Sequence, residues 1–151
     1  MSSEEKSEPV LVSACLVGVE CRYDGAANLS ESLLERLSRE NFIPVPFCPE
    51  ERGGLSTPRP AAWIEKENAA AVLAGESRVI TNTGADVTDA FLSGAREALS
   101  TCERLNIKRA YLKERSPSCG VCQTHVDNQL VDGPGVTAEL LQSAGIVVEG
   151  C

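Results

Sequence analysis

Positive charge is in short supply: 14 Lys and Arg stand against 22 Asp and Glu, for a formal net charge of −8 and a pI of about 4.7. A duplex-binding protein carries a basic face to neutralise phosphates, so this balance argues against nucleic acid as the main partner. Solubility is the plain reading of the acidity. Long hydrophobic runs are missing too, and none approaches the roughly 20 residues of a membrane helix. The opening "MSSEEKSEP" lacks the basic-then-apolar pattern of a signal peptide. There is no internal repeat, low-complexity tract or linker, and 151 residues suffice for one domain with its own core. The expectation is a cytoplasmic protein with no membrane partner, a disordered leader over 1–8 and a single domain over 9–151.

Histidine is nearly absent, with His125 alone, whereas cysteine is abundant at seven. An odd number of cysteines without an export signal argues against a disulfide framework and leaves metal binding, redox chemistry or packing. Cys102, apolar in its setting "AREALSTCERL", and Cys151 at the C-terminal end read as packing or incidental thiols.

Short β-type runs alternate with amphipathic helical stretches, which points to an α/β fold. "PVLVSACLVG" (9–18) begins as a run suited to a strand buried on both faces. "NLSESLLERLSREN" (28–41) places Leu29, Leu33, Leu34 and Leu37 on one helical face, with Ser30 as N-cap. "FIPVPFC" (42–48) reads as extended, its prolines favouring an edge. Residues 49–68 read as a long functional loop, and "AAVLAG" with "SRVITN" as a short hairpin. A helix over 86–106 follows, capped by Asp86 or Thr88, then a strand in "IKRAYLKE", a "GPG" turn, a last helix and a last strand. The expected architecture is a single compact α/β domain, a mostly parallel sheet flanked by helices in a Rossmann-like three-layer arrangement.

Three cysteines share one placement. Cys15 lies near the end of the first expected strand run, Cys48 closes the second and Cys119 follows the "RAYLKE" strand, and the carboxyl ends of parallel strands converge on one ligand-binding edge. Soft thiolates suit zinc, copper(I) or iron–sulfur clusters. "CGVCQTH" is a rival zinc pattern without the matching second pair, and its Cys119–Cys122 spacing also admits a thioredoxin-like motif. His125 reads as a surface or capped histidine, and "RGG" as a turn or a weak anion cradle. Glu50, two residues after Cys48, reads either as a solvated carboxylate or, beside a metal at the same edge, as a proton-transfer group.

"VSACLVGVECRYDG", "CPEERGGLSTPRPAA", "TGADVT" and "LKERSPSCG", in that order, resemble the small thiouracil desulfurase family, long catalogued as a domain of unknown function. The resemblance spans about residues 9 to 150 and lies in the four blocks together. It implies a [4Fe–4S] cluster held through only three cysteines, which fall on Cys15, Cys48 and Cys119. It further implies acid–base and substrate-orienting roles for Glu50 and Ser116. Cys21 matches a recurring family cysteine without a ligand role, and Cys122 lies outside the core motif. The implied activity is non-redox desulfuration of a small thiolated pyrimidine, 2- or 4-thiouracil, to uracil and hydrogen sulfide. A non-catalytic cluster-binding module and a desulfurase of thiolated nucleosides or RNA are the alternatives.

Overall fold

The computed structural model describes residues 7–151. The chain runs β1 (Glu8–Ser13), α1 (Glu31–Arg39), β2 (Phe42–Phe47), α2 (Pro49–Arg52), β3 (Ala62–Ile64), α3 (Ala69–Leu73), β4 (Val79–Thr81), α4 (Thr88–Leu105), β5 (Arg109–Leu112), β6 (Gln123–Val126), β7 (Gln129–Asp132), α5 (Val136–Ser143) and β8 (Val147–Gly150). The leader expected over 1–8 falls outside the described residues except for Ser7 and Glu8, and Glu8 already belongs to β1.

β1 shows why the chain layers as it does. Successive side chains of a strand point to opposite faces, and here both faces are covered. Val10 and Val12 pack with Leu33 and Leu37 of α1 and with Tyr111. Leu11 packs the other way, with Ala98 and Cys102 of α4 and Leu141 of α5. The main sheet has the order β2-β1-β5-β8 with every pair parallel. Helices on both faces make it a three-layer α/β domain, as the alternating pattern implied. β2 lies at the edge, where its two prolines cost no ladder bond on the open side.

α1 starts at its expected cap, whereas α4, expected to be capped by Asp86 or Thr88, has Val87 at the N-cap position without a side-chain cap bond, and Asp86 and Thr88 instead brace the turn before it. The Ser30 hydroxyl accepts the Leu33 N–H at 3.3 Å. Asp86 accepts the N–H and hydroxyl of Thr88 at 2.9 and 2.6 Å, and the Thr88 hydroxyl in turn accepts the Val79 N–H at 2.9 Å. Leu29, expected on the buried face of the first helix, precedes that helix and is exposed.

Three expectations are corrected. The first strand stops at Ser13, and Ala14–Val17 form a 3-10 turn closed by Gly18 at a left-handed φ of 98°. The loop expected over 49–68 contains α2 and β3. "AAVLAG" is not a hairpin arm but α3, capped by Asn68, whose side chain accepts the Ala71 N–H at 2.9 Å. "SRVITN" supplies β4, which pairs antiparallel with β3. These strands belong to a second sheet, β4-β3-β6-β7, which is mixed. Its Ile64 and Val79, with Val72 of α3, pack on Phe91 and Ala95 of α4 and Val136 of α5, so both sheets share the same two helices.

Candidate active site

In the main sheet the strand order reverses between β1 and β5, and the carboxyl ends there open a crevice. Cys15 sits in the 3-10 turn directly after β1, Cys48 directly after β2 as the residue that begins α2, and Cys119 in the loop after β5. All three line one cavity of about 530 Å³, together with Cys21, Glu50 and Ser116. Cys15 and Cys119 are buried and Cys48 half-buried.

The thiols are electrostatically linked. Cys21 packs in one cluster with Cys15 and Cys48, and the Cys48 thiol reaches the Cys21 carbonyl at 3.8 Å. The neighbouring Cys21 thiol brings Cys15 down to about 7 against its burial, with nearby polar and cationic groups, Lys113 and Arg22 among them, adding to it. Cys48 is lowered by the same neighbour, helped by the Glu51 N–H in the first turn of α2 and by Arg59. Cys21 is raised in exchange. Burial pushes Cys119 up, opposed by the Ser13 hydroxyl.

The "SPSCG" segment is held as a clamp. The Ser116 hydroxyl accepts the N–H groups of Ser118 and Cys119, both at 3.1 Å, and directs its own proton to Glu50 Oε1 at 3.4 Å. The Glu114 carboxylate accepts the N–H groups of Val121, Cys122 and Gln123 at 2.9, 3.0 and 3.3 Å. Gly120 is required by space: a Cβ there would sit 2.1 Å from the Gln123 carbonyl oxygen.

Glu50 projects from α2 into an ion pair with Arg59, whose Nε and Nη2 both lie 3.0 Å from Oε2. Arg59 Nη2 also donates to the Cys21 carbonyl at 2.9 Å, and Nη1 to the Thr57 hydroxyl at 2.9 Å. The side chains of Arg59 and Glu50 are only 6 % and 16 % exposed, so the pair is fixed by its surroundings rather than free in water. α2 itself is docked through glycine. A Cβ on Gly94 of α4 would fall 2.0 Å from the Pro49 carbonyl oxygen, and one on Gly53 2.0 Å from that of Ala90. "RGG" is therefore a close-packing site, not an anion cradle.

The structure thus brings together Cys15, Cys48, Cys119, Glu50 and Ser116, and separates Cys122 from them. Cys122 is exposed, does not line the cavity, and turns its thiol toward Glu114. His125 places Nδ1 2.7 Å from the Arg115 carbonyl, the capped role expected of it. Among the described residues no three His, Cys, Asp or Glu side chains gather closely enough to hold one metal ion, so "CGVCQTH" is not arranged as a zinc site. Three soft thiols spread around a cavity suit a bulkier thiolate-held group. Arg59, Asn28, Lys113 and Trp63 also line the cavity and escaped the sequence reading. The "TPRP" block containing Arg59 and the "LKERSPSCG" block containing Lys113 were the available pointers.

The family described as 2-thiouracil desulfurase matches residues 10–149. The uncharacterized protein YbbK of Bacillus subtilis (strain 168) is 38% identical over 139 residues, covering 90% of this chain and 91% of that protein. A solved structure of the [4Fe-4S]-dependent thiouracil desulfidase TudS superposes with a TM-score of 0.78 at 37% identity, covering 95% of this chain and 91% of the other.

Proposed function

The chain belongs to the 2-thiouracil desulfurase family, and we propose that it converts 2- or 4-thiouracil to uracil and hydrogen sulfide with a [4Fe–4S] cluster held by Cys15, Cys48 and Cys119. The observation that carries this reading is the meeting of three strand-end thiols and one ion-paired carboxylate in a single cavity. A cluster with three protein thiolates supplies an open iron, a Lewis acid with affinity for a soft thiocarbonyl sulfur.

The chain's own residues handle the ring and the protons. One water replaces the sulfur: its oxygen bonds to the ring carbon, the carbon–sulfur bond breaks, and both hydrogens leave with the sulfur. The balance involves no net electron transfer. Glu50 is the general base that takes a proton from the attacking water and returns it to the leaving sulfur. Arg59 and Ser116 hold its two oxygens from either side, so the base is oriented before substrate arrives. Ser116 belongs to the same turn as Cys119 and orients the substrate against that thiol. Trp63 and Tyr23 offer aromatic faces at the cavity wall against which a pyrimidine packs.

The test is anaerobic reconstitution with iron and sulfide, followed by incubation with each thiouracil. Uracil and sulfide should form in equal amounts. A loaded protein that turns over neither base is a binding module. Turnover of thiolated nucleosides alone reassigns the substrate.

A further inference from the structure

Among the described residues one buried side-chain polar atom has no hydrogen-bond partner: Nδ2 of Asn28, in the wall of the cavity. Buried donors are nearly always paired, so an orphan of this kind marks a missing partner. Its identity as nitrogen is secure from chemistry. Arg22 Nη1 lies 3.0 Å from the other end of the amide, and a guanidinium only donates, so that end is the oxygen. Arg22 is itself steadied by Asp24 at 3.4 Å. The Asn28 backbone N–H donates to the Cys15 carbonyl at 2.9 Å, which fixes the residue next to Cys15. Asn28 and Cys15 line the same cavity, and Nδ2 has no formed hydrogen bond there.

A substrate entering the cavity is a poor candidate for the missing partner. Nδ2 is closed to solvent, so a ring in the open part of the cavity does not reach it. The acceptor must lie in the same wall, where Cys15 is tied to Asn28 through the backbone. A neutral thiol accepts weakly, whereas a metal-bound thiolate sulfur accepts N–H well. We propose that Asn28 is a positioning residue for Cys15, donating N–H···S to that sulfur once it ligates the cluster. This rests on the cluster reading above. The bond withdraws charge from the sulfur, which secures the ligand and raises the cluster's reduction potential.

Two variants test it. Asn28→Leu removes the donor at similar size, and Asn28→Asp keeps the acceptor facing Arg22 while replacing the donor by an oxygen. The readouts are the reduction potential of the reconstituted cluster and iron loss to a chelator, neither of which needs substrate. Both variants should show a more negative potential, larger for Asn28→Asp, and iron retention weakened by about 10-fold. An unchanged potential and iron retention in either loaded variant overturns the proposal. So does a failure of Asn28→Leu to load if Asn28→Asp loads with parental potential. A parent chain that takes up no iron sinks the cluster reading first and this inference with it, which the parent control distinguishes.

Discussion

Cys15, Cys48 and Cys119 differ from Cys102 only in address. Cys102 is 1 % exposed in α4, packed in the core under the main sheet, and burial pushes its thiol up to about 11. Replacing Cys15, Cys48 or Cys119 by Ser should each abolish the broad visible absorption of the reconstituted protein. Cys102→Ser and Cys122→Ser should keep it. A Cys119→Ser protein with a full cluster, beside a Cys122→Ser protein without one, would reverse the ligand assignment. These addresses were legible in the sequence because Cys15 and Cys48 fall at the ends of apolar runs and Cys119 in the turn after the "RAYL" strand. Glu50 was legible for its nearness to Cys48. Arg59 and Asn28 were not, since an arginine or asparagine in a loop carries no periodicity that names its partner. Only folding puts Arg59 under Cys21, 38 residues away.

At the scale of elements, the short α2 carries Glu50, follows directly on Cys48 at its N-cap, and depends on α4 for its position. Four residues cannot form a stable helix alone. Gly94 lets the Pro49 carbonyl approach the α4 backbone. Gly94→Ala should therefore destabilise the chain by about 1–3 kcal/mol, the usual cost of overpacking, and lower iron uptake as Cys48 is displaced. Thermal unfolding with iron analysis checks both, and a variant as stable and as iron-rich as the parent would refute the docking argument.

The Cys119 loop depends on Glu114 in the same way. Burial raises that carboxyl, but the N–H groups of Val121, Cys122 and Gln123 outweigh it, and the net direction is down. A lowered carboxylate contributes stability that is present above its unfolded pKa and lost as pH falls through the folded one. The parent should exceed Glu114→Gln in metal-free thermal stability near neutral pH, with the gap closing below about pH 4. A gap independent of pH would contradict the assignment. The elements that escaped the sequence reading are short ones. β3 has three residues, too few to show alternation, and its parallel bridge to β6 is a single residue pair. "AAVLAG" is apolar at either period, and the Asn68 cap decides for helix.

Over the whole molecule, the parallel sheet and its flanking helices followed from alternating patterns, whereas the second sheet is held by long-range packing on α4 and α5 that no local window contains. The acidity is likewise a property of the whole and not of the site. Arg22, Arg59, Lys113 and Arg115 line the candidate active-site cavity, against Glu50 and Glu114, in a chain with net charge −8. Among the described residues no helix is long and apolar enough to cross a membrane. The central claim is that the sheet topology delivers three thiols and a separate proton-handling carboxylate to one place. The most direct test is iron content and thiouracil turnover measured on the same preparation of the parent and of Glu50→Gln. The account predicts an unchanged cluster with turnover lower by about 10²-fold or more; parental turnover on an intact cluster would contradict it.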